Sequence, residues 1–191
     1  MQIVKFGTIT EEQKAQAVDL FMAGFGKFMT FSKDENLKKT LFKRIFDPSL
    51  FFCYIEENKV LGLMGLATNS KRPICFEEKI CRELFGSLKG SIISHQMNAI
   101  FQKPVVKNEN ELYLDVLVTE PLARRSGVGS KLIQFASNLS GYNVLYTEVF
   151  SKNMVAINFY EKNGFTAEKE EKFSLLRLQG EGYPIKMKKT Y

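Results

Sequence analysis

The stretch from Glu111 to Ser140 constrains the fold more than any other part of the chain. Glu111 to Thr119 reads as a strong strand, and Pro121 closes it. Arg124-Arg125-Ser126-Gly127-Val128-Gly129 follows. A helix then runs from Gly127 to Ser140, with Val128, Leu132, Phe135, Ala136 and Leu139 on its apolar face. The first turn of a helix has unpaired N–H groups and about half a positive charge. Gly127 and Gly129 have no side chain to block a ligand, and Arg124 and Arg125 add fixed charge. Together these features suit a pyrophosphate. Two familiar phosphate loops are excluded. Gly129 is followed by Ser130-Lys131 rather than Lys-Ser/Thr, so the P-loop pattern fails. Leu132 stands where a dinucleotide fingerprint needs its third glycine.

The rest of the chain supplies a sheet and helices around this unit. Gln2 to Phe6 alternates as a first strand, and Thr10-Glu11-Glu12-Gln13 is a capping box for a helix carrying Ala17, Val18, Phe21, Met22 and Phe25. Ser32-Lys33-Asp34-Glu35 reads as a second capping box, opening a helix that Asp47-Pro48 ends. Leu50 to Ile55 and Lys59 to Thr68 form a hairpin turned at Glu57-Asn58, with Gly62 and Gly65 marking a bulge or a close backbone approach. Residues 69–110 read as a helical insertion interrupted at Gly86 and Gly90. Asn143 to Phe150 is a strand, and Asn153 caps a short helix to about Lys162 that Gly164 stops. Phe165 to about Leu178 and Tyr183 to Lys189 are final antiparallel strands. The expected architecture is one mixed α/β domain over residues 1–191.

Composition narrows the classes. Apolar residues make up 45% and charged residues 25%, which excludes a disordered chain. The net charge of +6 favours a polyanion, but no dense Lys/Arg run resembles a nucleic-acid arm, so neither nucleic acid nor membrane is expected as a partner. Cys53, Cys75 and Cys81 form no C-x-x-C pair, so neither a disulfide framework nor a metal site is expected. Without a signal peptide or an apolar run of about 18 residues, the expected location is the cytoplasm. A monomer or homodimer is expected.

The hexapeptide at Arg124, Gly127 and Gly129 resembles the Q/R-x-x-G-x-G/A signature of the Gcn5-related N-acetyltransferase (GNAT) superfamily. Val118-Thr119-Glu120-Pro121 is similar to that family's approach to the loop. Asn153, Ala156, Phe159-Tyr160-Glu161-Lys162 and Gly164-Phe165 resemble its next motif, so the likeness spans about residues 111–166. The resemblance implies a twisted, mostly antiparallel sheet with helices on both faces and the insertion between strands 3 and 4. Parallel strands 4 and 5, here Leu112–Val118 and Val144–Phe150, would splay to admit acetyl-CoA, the acyl donor. Backbone groups at Val116, Leu117 and Val118 would pair with its pantetheine arm. Arg124, Arg125, Ser126, Gly127, Val128, Gly129 and Ser130 would hold its pyrophosphate, and Asn153 would contact the cofactor through water.

The implied reaction is direct transfer of an acetyl group to the primary amine of a small molecule or peptide. Freeing the lone pair of a lysine-like amine at pH 7 costs about 4.6 kcal/mol, so a base is needed. Glu148, twelve residues before Tyr160, resembles the base of members that acetylate protein N-termini; Asp115 on the preceding strand is the alternative. The departing thiolate needs an acid, and the resemblance assigns Tyr160. A backbone N–H near Leu117 or Val118 would serve the oxyanion. A non-catalytic CoA-binding sensor would share the turn without needing Tyr160 or Glu148.

Overall fold

The computed structural model describes residues 1–170 and 182–191. In chain order the elements are β1 (Gln2–Lys5), α1 (Glu11–Phe25), α2 (Glu35–Ile45), β2 (Phe51–Glu56), β3 (Lys59–Ala67), α3 (Glu78–Phe85), α4 (Ser87–Phe101), β4 (Glu111–Thr119), α5 (Val128–Ser137), β5 (Val144–Phe150), α6 (Met154–Lys162), β6 (Thr166–Glu170) and β7 (Pro184–Thr190). The described strands form a seven-stranded sheet in the order β1-β2-β3-β4-β5-β7-β6. Its neighbours are antiparallel except for β4 and β5, which run parallel. No described helix is long and apolar enough to cross a membrane.

Local chemistry accounts for most boundaries. Thr10 Oγ1 accepts from the Gln13 N–H and Gln13 Oε1 accepts from the Thr10 N–H, the reciprocal pair that starts α1. The second cap sits two residues later than expected. Asp34, not Ser32, accepts from the Leu37 N–H, while Ser32 Oγ accepts from the Asp34 N–H and shapes the approach. Glu57 and Asn58 both lie at positive φ, +48° and +63°, as a two-residue hairpin turn requires. Gly90 does not interrupt the insertion. It lies inside α4, where a Cβ would come within 2.4 Å of the Cys81 carbonyl oxygen, so it lets α3 and α4 pack closely. The break is Gly86, at φ +85°. Of the expected strand from Phe165 to Leu178, β6 covers Thr166–Glu170, and the part beyond it lies outside the described residues.

Two apolar layers cover the sheet. On one face, Phe21, Leu41, Phe42, Phe46, Ile74, Phe76 and Ile93 join Phe51, Leu63 and Val116. On the other, Leu132, Ile133 and Ala136 of α5 meet Met64, Leu66, Leu114 and Leu145. Phenylalanine dominates the first layer, with Phe21–Phe42 and Phe46–Phe51 ring centroids 4.6 and 4.0 Å apart. The abundance of Phe in the sequence is therefore largely a core property.

Candidate functional site

The site begins where the parallel ladder stops. β4 and β5 pair only at Glu111–Val144, Leu112–Leu145 and Tyr113–Tyr146. Beyond Tyr113, β4 stays paired with β3 as far as Thr119, and β5 stays paired with β7 as far as Phe150. Two strands held from outside and unjoined inside leave a V-shaped slot with its apex at Tyr113–Tyr146. At the apex Thr147 Oγ1 donates to the Leu114 carbonyl at 3.1 Å, replacing the first missing ladder bond with a side chain. Further out, β4 has backbone polar groups turned to the slot where an amide-bearing chain could pair with them. Val116, Leu117 and Val118 lie along this stretch.

A bulge shapes the same strand. The β3–β4 register shifts between Gly65 and Leu66, from Val116 to Leu114, so Asp115 is the extra residue. The bulge inverts the alternation of side chains. Leu112 and Leu114 face the α5 layer before it, and Leu117 faces that layer after it. Val116 and Val118 accordingly join the opposite layer.

The glycine-rich turn sits at the outer end of the slot. Arg125 and Gly127 are both left-handed, at φ +67° and +85°. Gly127 is the N-cap of α5, and no side chain caps that end. The helical ladder starts with the Lys131 N–H on the Gly127 carbonyl at 2.9 Å. The N–H groups of Val128, Gly129 and Ser130 precede that bond and have no intrahelical acceptor. Arg124 and Ser126 spend their N–H groups within the turn, on the Pro121 and Ala123 carbonyls. Ser126 Oγ also donates to the Ala123 carbonyl, at 2.6 Å. The turn is thus internally braced, and its free donors are concentrated in the first helical turn. The side chains of Arg124 and Arg125 are exposed.

The glycines divide their work differently from the sequence expectation. At Gly127 a Cβ would meet open space, so the requirement is its positive φ. At Gly129 a Cβ would lie 2.9 Å from the Phe159 ring, so its missing side chain makes room for α6. Gly62 gives α5 the same kind of room, since a Cβ there would meet Val128 at 2.6 Å and Leu132 at 3.0 Å. Both close approaches set the start of α5 against the slot.

Tyr160 and Glu148 approach the slot from opposite faces. Tyr160 lies on α6 with its ring between Phe159 and Phe165, centroids 5.3 Å away on each side. Its hydroxyl meets Thr147 at the apex. Burial pushes the Tyr160 pKa above its ordinary value and the Thr147 contact works against that rise, so the phenol stays protonated at neutral pH. On β5, Leu145 and Val149 pack into the α5 layer, so Glu148 faces the other way and is exposed. Tyr113 connects the groups. Burial, then the negative charges of Glu148 and Asp115, drive its pKa far up; Arg72 opposes this and Tyr160 adds to it.

Asp115, the alternative base, is engaged elsewhere. Arg72 Nε and Nη2 donate to its two carboxylate oxygens at 2.9 and 2.8 Å. Burial raises the Asp115 pKa, and the Arg72 hydrogen bonds and charge pull it back down. Asn153 does what its sequence context suggests, its Oδ1 accepting from the Ala156 N–H at 3.1 Å to cap α6. Arg72, Tyr113, Thr147 and Phe28 were not foreseen. Phe28, just after α1, comes within 6.4 Å of the Phe150 ring at the open end of β5. Among the described residues no cluster of three or more metal-ligating side chains occurs.

A slot between splayed parallel strands, with a helix N-terminus at its mouth, is the arrangement that the sequence resemblance implies. The chain belongs to the acetyltransferase (GNAT) family, whose model matches residues 16–165. No curated protein sequence matches it. Solved structures share its fold at low identity. An N-acetyltransferase from Staphylococcus aureus Mu50 aligns over 98% of this chain and 100% of its own, at 13% identity and a TM-score of 0.67. The NatC complex bound to Gag peptide and CoA aligns over 100% and 99%, at 18% identity and a TM-score of 0.55. A streptothricin-type acetyltransferase from Bacillus anthracis str. Ames in complex with acetyl coenzyme A aligns over 74% and 61%, at 17% identity and a TM-score of 0.50.

Proposed function

We propose that this chain, as a single domain with a helical insertion at 69–110, transfers an acetyl group from acetyl-CoA to a primary amine by direct attack. The observation that carries the reading is the placement of Tyr160 and Glu148 on opposite sides of the slot, at the apex and on its β5 wall. The family supports the donor, and one structural neighbour was solved with acetyl coenzyme A.

The pyrophosphate rests on the N–H groups of Val128, Gly129 and Ser130, with Gly127 shaping the turn and Arg124, Arg125 and Ser126 beside it. The pantetheine arm pairs with the slot-facing backbone of Val116, Leu117 and Val118, and Asn153 holds the start of α6 against it. Acetyl-CoA supplies the activated thioester. Glu148 takes a proton from the acceptor ammonium on one face of the sheet. The freed lone pair attacks the carbonyl carbon, and a backbone N–H near Leu117 or Val118 supports the oxyanion. As the carbon–sulfur bond breaks, Tyr160 gives its proton to the sulfur from the other face, and the second proton, shed by the attached nitrogen as the amide forms, passes through solvent to restore the phenol. Acid and base on opposite sides avoid competing for one proton.

The acceptor is an amine of a small molecule or a peptide; the NatC neighbour was solved with a peptide, which keeps N-terminal amines in the test. The test is thiol release from acetyl-CoA against a panel of peptide N-termini, polyamines, amino sugars and aminoglycosides, with product masses. Amine-dependent release with a mass gain of one acetyl group is expected. CoA binding without release for any amine would favour a sensor.

A further inference from the structure

The helical insertion is tied to the catalytic strand at one point. Arg72 lies at its start, Lys103 just beyond α4 near its end, and Asp115 in the bulge of β4. While Arg72 Nε and Nη2 hold Asp115, Arg72 Nη1 donates to the Lys103 carbonyl at 2.5 Å. The side chains of Arg72 and Asp115 are only 11% and 12% exposed. A forked guanidinium is the one side chain that can grip a carboxylate with two bonds and still reach a third acceptor. A second set of contacts runs from the insertion to the mouth of the slot. Phe31, in the α1–α2 connection, packs edge-on against Phe76 and Phe85 at 5.8 and 5.9 Å. Phe28 of the same connection reaches Phe150 of β5.

We propose that Arg72 is a positioning residue for acetyl transfer: by joining both ends of the insertion to the Asp115 bulge, it fixes the slot wall of β4 and the acceptor wall as one unit. The bulge determines which way Val116, Leu117 and Val118 present their backbones. The insertion, through Phe76 and Phe85, supports the connection that carries Phe28. Without the guanidinium, Asp115 is a buried carboxylate with no cation against it, and the bulge relaxes to relieve that cost. Arg72 acts through Asp115 and touches neither donor nor acceptor.

The kinetic part rests on the transferase reading, so the experiment has two arms. The first measures amide hydrogen exchange across residues 113–118 in wild type, Arg72→Ala and Arg72→Lys. Faster exchange confined to β4 and the insertion is expected in Arg72→Ala, with a smaller change in Arg72→Lys. Exchange unchanged in both variants overturns the proposal whatever the protein catalyses. The second arm uses the amine identified by thiol release. Arg72→Ala should lose at least tenfold in kcat/KM for the amine and also bind CoA about threefold or more weakly, because the same bulge presents Val116, Leu117 and Val118 to the donor. Millimolar guanidinium should restore part of kcat in Arg72→Ala and none in wild type. Asp115→Asn should lose a similar factor, and the double variant no more than either single one. Additive losses, or wild-type kcat/KM in Arg72→Ala, overturn it. Asp115→Asn and Arg72→Lys alone suffice if Arg72→Ala does not fold. A wild type that releases no thiol refutes the transferase reading and leaves the exchange arm to judge the pair.

Discussion

The proposed donor side of the slot is built mostly from consecutive elements, and the proposed acceptor side is not. β4, the glycine-rich turn, α5, β5 and α6 follow one another within residues 111–162. Gly129 joins α5 to Phe159 within this stretch, and Gly62 of β3 adds one close approach to α5 from outside it. The acceptor side combines Phe28, Arg72, Asp115, Glu148 and Phe150, drawn from four widely separated segments. The Arg72–Asp115 pair alone spans 43 positions. Binding a pyrophosphate needs a helix end and a few donors, which a short motif can specify. Shaping an acceptor pocket needs surfaces brought together by the whole fold, where a family can vary its substrate without disturbing its donor.

Glu148→Gln removes the proposed base and should lower turnover by about 100-fold or more, with little change in melting temperature, because the side chain is exposed. A loss below threefold would move the base elsewhere. Gly129→Ala should affect both stability and donor binding, since its Cβ meets Phe159 at 2.9 Å. We expect about 1–3 kcal/mol of destabilisation by overpacking, read by urea unfolding, with weaker CoA binding. Arg124→Ala with Arg125→Ala should weaken CoA binding several-fold at low salt and by less at high salt, as exposed charges are screened. Calorimetric titration at two ionic strengths checks this. The smallest effect concerns the cysteines. Burial pushes Cys53 up to about 12 and Cys81 to about 11, so iodoacetamide at neutral pH should label exposed Cys75 first, with no loss of donor binding.

Much of the fold was legible because its signals are local. The Thr10–Gln13 and Asn153 caps follow from side chains bonding to nearby backbone, and the Glu57-Asn58 turn follows from two adjacent residues at positive φ. The misread features were decided by tertiary contact. Gly90 looked like a helix break and serves the packing of α3 on α4. Gly129 looked like ligand clearance and accommodates Phe159. Asp34 displaced Ser32 as a cap because either side chain could bond there, and the geometry of the loop chose. In the site, motif resemblance pointed to Tyr160, whereas Thr147 and Arg72 had no local signal at all. Their roles exist only once β5 meets Leu114 and the insertion folds back on β4.

The most direct test is Tyr160→Phe, with turnover and CoA affinity measured on the same preparation. Removing one oxygen from a ring packed between Phe159 and Phe165 leaves the packing in place. The account predicts a fall in kcat of about 100-fold or more with Kd for CoA within twofold of wild type. Because burial raises the Tyr160 pKa, the alkaline limb of wild-type activity, where this acid loses its proton, should lie above the ordinary tyrosine range. Full turnover in Tyr160→Phe, or a loss matched by an equal loss of CoA affinity, would contradict the assignment of Tyr160 as the acid.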